Sequence, residues 1–355
     1  MSGDFLFGER RRVTDTTMQK KRLLAAIWLL VFAAGVLSIF LLNVGNGSAD
    51  ISVSDIVRIT LGKMDQSDTS SLIIQRIRLP RALAAMCGGA ALAIAGFLLQ
   101  TYFSNPIVEP YVLGISSGSA LFVGLVILGG FTFGFQRITP IFMFIGAFIG
   151  ASLVMLIVLF AAVKVRSIIT LLIIGLMAGY LCGALVSILT SFAEHERIAN
   201  FAMWGMGSFA GFTWLHLKVM YAIVCPMLLC SFLMAKPLNA LSMGDRYAKS
   251  MGINVKAARY CLIFLSSILT AAVTAFAGPI SFIGLAVPHI CRIVFRTSDS
   301  RILIPGAILG GAFMASLCDF TARNVLSPRE LPLGAITAII GAPIVVFLLT
   351  RKERL

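Results

Sequence analysis

Apolar and polar positions in this chain do not alternate; they separate into long apolar runs divided by short polar clusters. Ten such runs can be read, at about 23–43, 80–103, 109–129, 138–163, 168–191, 215–235, 258–277, 281–296, 302–318 and 331–350. Backbone groups in hydrocarbon must find their partners within the segment, so runs of about twenty apolar residues predict membrane-spanning helices. The third, eighth and ninth runs are short or broken by Gly and Pro, as helices that line a substrate pathway often are. The sequence Cys87-Gly88-Gly89-Ala90-Ala91, with Gly96, supplies small residues for close helix packing. The first run follows Arg10-Arg11-Arg12 and Lys20-Lys21-Arg22. It is longer than a signal-peptide core, and no small-residue cleavage motif follows it. It is therefore read as an uncleaved first span, with residues 1–22 as a basic cytoplasmic tail and 23–351 as a single transmembrane domain.

Composition strengthens this picture. The 355 residues are 59% hydrophobic and only 12% charged, about half the charged fraction of a soluble domain. Disorder is excluded by the abundance of large apolar residues, 26 Phe among them. A net charge of +14 would sit on one soluble face in a nucleic-acid-binding protein. Here the Lys and Arg lie between apolar runs, so no nucleic-acid partner is expected. Placing the N-terminus in the cytoplasm puts most of the 29 basic residues there, as the positive-inside bias requires. An even number of spans then returns the C-terminal Arg351, Lys352 and Arg354 to the same side. The seven Cys include no CxxC pair, and most of them read as small buried hydrophobes.

No catalytic constellation stands out. The three His are far apart, and HExxH, GxSxG and paired-carboxylate patterns are missing. The only Gly-Lys pair, Gly62-Lys63, is followed by Met64 and makes no phosphate loop. The chain is therefore expected to be no enzyme and to hold no cofactor or metal; ATP-driven work would need another polypeptide. The longest cytoplasmic loop, 236–258, contains Met243-Gly244-Asp245-Arg246-Tyr247-Ala248-Lys249-Ser250-Met251-Gly252. Asp245 can cap a short helix there and Gly252 can end it in the left-handed conformation. Tyr247, Ala248 and Met251 would share one face, and Arg246, Lys249 and Ser250 another. Such a helix either lies on the lipid surface or docks as a knob in a cytoplasmic partner. Trp204 and Trp214 flank Gly-rich sequence at the outer face, as an interfacial belt would. Runs two to five and seven to ten each contain a Pro-interrupted segment, a hint of inverted repeats.

Several motifs carry a resemblance. They are Arg78-Leu-Pro-Arg81, Gly96-x-x-x-Gln100, Asn105-Pro-Ile-Val-Glu-Pro-Tyr-Val-Leu-Gly114 and Leu241-x-Met-Gly-Asp-x-x-Ala248-x-x-x-Gly252. In the second half they are Gly278-Pro-Ile-x-Phe-Ile-Gly-Leu-x-Val-Pro-His289-x-x-Arg292, Pro305, Asp319-x-x-Ala-Arg323 and the stretch Leu331 to Pro343. Over residues 50–351 the chain resembles the FecCD-type permeases, membrane subunits of ABC importers for iron–siderophores, haem and vitamin B12. The resemblance implies an all-α fold of the type II importer class with ten spans and both termini cytoplasmic, in the bacterial or archaeal inner membrane. It also implies partners: a second permease subunit, identical or related, two cytoplasmic ATPases that bind ATP and magnesium, an external substrate-binding protein, and lipid.

Individual roles follow in the same way. Met243, Gly244, Asp245, Tyr247, Ala248, Met251 and Gly252 would form the coupling helix inserted into the ATPase. Arg78 and Arg81, just before the second span, and Arg323, between the ninth and tenth, would bind acidic residues of the binding protein. Arg suits this because its planar fork can hold a carboxylate bidentately; the alternatives are snorkelling to headgroups and pairing of Arg323 with Asp319. Asn105 and Pro106 would turn the chain between the second and third spans, with Asn105 satisfying exposed backbone groups. Pro288 and His289 would be structural, with His289 bonded to a nearby loop. Ser167, Ile168, Ile169 and Thr170 occupy the cytoplasmic gate position. Small polar residues stand there in the vitamin B12 importer, so the two isoleucines lend cobalamin no support, although an apolar constriction can close by dewetting. A ferric siderophore is the expected cargo, with haem or cobalamin as alternatives. Two rivals are an ion-gradient-driven transporter, which calls for intramembrane acids, and a membrane enzyme.

Overall fold

A computed structural model describes residues 3–46, 69–130, 140–165, 167–327 and 329–352, with backbone alone at 3–22, 69, 70, 112, 140, 141, 168 and 348–352. The described residues are helical, with no strand among them. The helices are α1 (Gly3–Gly45), α2 (Leu79–Tyr102), α3 (Ile115–Ile127), α4 (Pro140–Lys164), α5 (Ile168–Phe192) and α6 (His195–Gly205). They continue as α7 (Trp214–Leu233), α8 (Ala235–Ser242), α9 (Asp245–Ser250), α10 (Val255–Ala277), α11 (Ile283–Phe295), α12 (Ser300–Asn324) and α13 (Leu333–Lys352). Seven segments are long and apolar enough to cross a membrane, and three shorter apolar helices occur at 115–127, 283–295 and 333–347. Together they coincide with the ten apolar runs.

The basic segment 3–22 continues helically into the first span. Three expectations need correction. The second run begins earlier than its apolar stretch: a helical turn at Thr69–Ile73 and a π-helical turn at Ile74–Arg78 lead into α2 without a break. Pro80 does not prevent this, since it stands in the first turn of α2, where the lost N–H costs little. The third and eighth are short, at 13 residues each, whereas the ninth, α12, runs a full 25 residues. Pro305 lies in its second turn and removes one backbone bond without stopping the helix. Finally, α6 and α8 were hidden in segments read as loop, because 11 and 8 residues of mixed polarity make no apolar run.

The hub of the molecule is α2, which packs against α12, α10, α11 and α7. Twenty of its residues are buried, and the small ones among them explain the close approach. A Cβ on Gly89 would collide with the carbonyl of Gly311 on α12, and one on Gly96 would collide with that of Gly284 on α11. Lipid tails are as apolar as Leu, so this backbone-to-backbone contact, rather than a hydrophobic driving force, selects the partners.

Two irregular stretches, 103–114 and 278–282, meet beside α2. The Glu109 carboxylate accepts the Phe282 N–H at 3.0 Å. Gln100 Nε2 donates to the carbonyls of Gly284 and Leu285 at 3.2 and 3.3 Å, and its Oε1 accepts from Arg292 Nη1 at 2.8 Å. Non-helical backbone inside a membrane domain survives only where such partners cover it. By contrast α5 is largely exposed, with Tyr180, Leu181 and Phe192 at 69%, 64% and 87% exposure. That apolar surface must be covered by lipid or by another protein chain.

Candidate functional site

Two places gather the residues that the sequence singles out, one at each end of the bundle. On the side assigned to the cytoplasm, α8, α9 and the start of α10 form a compact corner. Gly244 precedes α9 at φ +105° and Gly252 follows it at φ +77°, conformations that L side chains rarely adopt. Asp245 does not cap α9. The N-cap is Gly244, and Asp245 is the first helical residue, accepting from Arg259 Nη2 of α10 at 3.0 Å. The pair fastens the short helix to a span. Six residues cannot hold a helix alone, so this tether and the burial of Ala248 fix its direction.

The faces also differ from expectation. Ala248 is fully buried, whereas Met243, Tyr247 and Met251 are 67%, 42% and 62% exposed. The three border a groove of about 460 Å³ that Lys236 and Arg301 also line. A second tether secures α8: the Asn239 amide donates to Asp299 Oδ1, and its oxygen accepts the Ser300 N–H, both at 2.7 Å. Nothing in the local sequence marks Asn239, Asp299 or Arg259 for these roles, because each partner lies 14 to 61 residues away.

At the opposite end, three arginines converge. They do not stand in a loop before α2: Arg78 closes the π-helical turn and Arg81 lies within α2, at 4% and 7% exposure. Arg78 donates from Nη1 to the carbonyls of Val44 and Gly45 at 3.0 and 2.8 Å, which end α1. A cation suits the open carbonyls of a helix C-terminus. Arg81 is held on both edges. Its Nε and Nη2 reach Asp319 at 2.9–3.1 Å, while Nη1 and Nη2 reach Glu330 at 2.7 and 3.1 Å. Arg323 pairs with Asp319 one turn earlier at 3.5 Å and donates to Asn43. Asp319 is 1% exposed, but the Glu330 side chain is 46% exposed. The neighbouring guanidinium holds the Glu330 carboxyl below the usual carboxylate range.

The other singled-out residues stand apart from these two clusters. Ser167 caps α5, its Oγ accepting from the Thr170 N–H at 3.3 Å. Ile169 is 71% exposed, and the side chain of Ile168 lies outside the described residues. Asn105 accepts the Ile107 N–H at 3.0 Å, so it satisfies backbone in the turn as expected. Pro288 lies buried inside α11, with His289 half-buried beside it. Trp214 at the start of α7 donates to the carbonyl of Gln75 at 2.8 Å and so also serves as a tether. Among the described residues two acids are buried within the bundle, Asp319 and Glu109, and both are held by donors. Among the described residues no group of three or more His, Cys, Asp or Glu is placed to hold a metal.

The chain is similar to known proteins over most of its length. The FecCD transport family profile matches residues 33–351, reaching into the first span as well as the motifs. The hemin transport system permease protein HmuU of Yersinia pestis is 37% identical over 325 residues, covering 90% of this chain and 95% of that protein. The vitamin B12 import system permease protein BtuC of Shigella boydii is 34% identical over 327 residues, covering 92% and 96%. Among solved structures, an inward-facing putative metal-chelate type ABC transporter superposes with a TM-score of 0.80 at 30% identity, covering 91% of this chain and 98% of that one. The chain is a multi-pass membrane protein that belongs to the FecCD transport family, permeases of the metal-chelate, haem and vitamin B12 type of ABC importer.

Proposed function

We propose that this permease carries an iron chelate, a ferric siderophore, into the cell, driven by ATP hydrolysed on separate subunits. Supporting the ATP-driven reading is one observation above the rest: an exposed Met243–Tyr247–Met251 face on a short helix that is tethered at Asp245 and carries no chemistry of its own. An apolar knob on a rigid mount can transmit a push, and Gly244 and Gly252 give it sharp edges. In this reading Met243 to Gly252 sits in a cleft of the ATPase. Closure of two ATPases around ATP and magnesium moves the two copies of the knob, and α4, α5 and α13 rock to close or open a pathway near Ser167 to Thr170. The exposed apolar face of α5 is then covered by a second permease subunit.

The outer arginines support docking of an extracytoplasmic binding protein through carboxylates. Arg78, Arg81 and Arg323 outnumber Asp319 and Glu330, so the mouth keeps a net positive charge that attracts an acidic partner. A second cargo, haem, is favoured by the 37% identity to the hemin permease of Yersinia pestis.

The test is ATP hydrolysis by the reconstituted transporter, measured with binding proteins loaded with ferric siderophore, haem or cobalamin. Stimulation by a siderophore-loaded protein alone supports the proposal. Stimulation by haem alone transfers it to the second reading, and stimulation by cobalamin alone overturns both.

A further inference from the structure

The outer cluster contains a contradiction that its geometry resolves. A guanidinium meant for a partner's carboxylate should be open, yet Arg81 is 7% exposed and already engaged on both edges. Its two carboxylate partners are not equivalent. Asp319 is on α12, buried, and shared with Arg323. Glu330 is nearly half exposed and belongs to the short connection between α12 and α13. Releasing Asp319 would leave a carboxylate that is 1% exposed with only the 3.5 Å contact to Arg323, which is costly. Releasing Glu330 would return a half-exposed carboxylate to water while Arg81 keeps Asp319 on its other edge. The side of Arg81 occupied by Glu330 is therefore the only side a partner can reach without dismantling the α2–α12 joint.

We propose that Glu330 is an internal stand-in for the binding protein's carboxylate, displaced from Arg81 when the binding protein docks. This rests on the docking role given to the arginines above. The displaced residue stands three positions before α13. That connection is pinned at Leu331 N–H to Ala322 O, 2.9 Å, and at Gly334 N–H to Met206 O, 3.1 Å. Exchange at Arg81 thus removes one of the fastenings of the segment that leads into α13, and docking reaches a pathway helix through three residues of chain. The exchange also sets the kind of partner: a carboxylate on a projecting side chain, able to approach a planar fork from the outside.

The experiment measures the affinity of the loaded binding protein for the complete transporter in lipid nanodiscs, at low and at high salt. Glu330→Gln is expected to bind about threefold to fivefold more tightly than the unaltered protein, the scale of losing one half-exposed competitor. The gain should persist in high salt, because the competition is at contact distance. Glu196→Gln, an exposed acid at the start of α6, removes the same charge at a distance, and any gain from it should vanish in high salt. Glu330→Asp, whose shorter arm cannot set both oxygens against Nη1 and Nη2, should also bind more tightly and covers the case in which the amide destabilises the mouth. Unchanged or weaker binding in both Glu330 variants overturns the stand-in while leaving docking intact. Failure of the unaltered transporter to bind any loaded binding protein overturns the docking reading itself.

Discussion

Arg81 shows how much one residue's meaning depends on its neighbours. Its sequence motif reads as a surface ligand, but the folded chain uses it to join α2 to α12 and to the following connection. Neither Asp319, 238 residues away, nor Glu330, 249 away, can be inferred as its partner from one sequence. What was legible is the alternative pairing of Arg323 with Asp319, because four residues on a helix place both on one face. Two predictions belong here. Asp319→Ala should lower stability by about 3–5 kcal/mol, because it strips the carboxylate from the Nε edge of buried Arg81 and from Arg323 together; thermal unfolding of the purified permease checks this. Glu330 has a depressed carboxyl pKa when folded. Its contribution is therefore complete above the unfolded value of about 4.3 and is lost as pH falls through the lower folded value. Acid titration of the unfolding temperature should show a descending step below about pH 4, and Glu330→Gln should remove that step.

Among the elements, the spans were legible and the short helices were not. Ten apolar runs predict ten apolar helices because a run of about twenty apolar residues fits a helical span, in which each backbone group finds its partner within the segment. The mixed polarity of α6 and α8 gave no such constraint. For α9 the glycines were the readable signal: Gly252 does adopt the left-handed conformation expected of it. The role of Asp245 was misplaced, since a helix start marks an acid for capping and the tether to Arg259 lies fourteen residues on. Gly244→Ala should cost about 1–3 kcal/mol locally, because φ +105° is closed to a side chain. The expected readout is faster hydrogen exchange across α9 with the spans unchanged. At the hub, Gly89→Leu should keep the protein from reaching its native fold, since the Gly311 backbone cannot yield to a side chain. Fluorescence-detected size exclusion of the expressed protein checks it.

For the whole molecule, charge placement decided orientation and packing decided architecture. The basic clusters pointed to the ends that face the cytoplasm, and the small residues of α2 marked close helix packing, which α12 and α11 supply. The proposed roles give three features a common purpose: an apolar knob at one end, an arginine-rich cluster at the other, and the largely uncovered α5. The weakest point of the sequence reading was cargo, because neither of the two sites carries a group that recognises iron, haem or cobalamin.

The central claim is that force enters through α9 from an ATPase on another chain. It is tested most directly by substrate uptake into proteoliposomes holding the permease with its ATPase, comparing the unaltered protein with Met251→Glu. The account predicts ATP-dependent uptake that Met251→Glu abolishes while the unfolding temperature stays the same. Uptake that an ion gradient drives without ATP, or that Met251→Glu leaves intact, would contradict it.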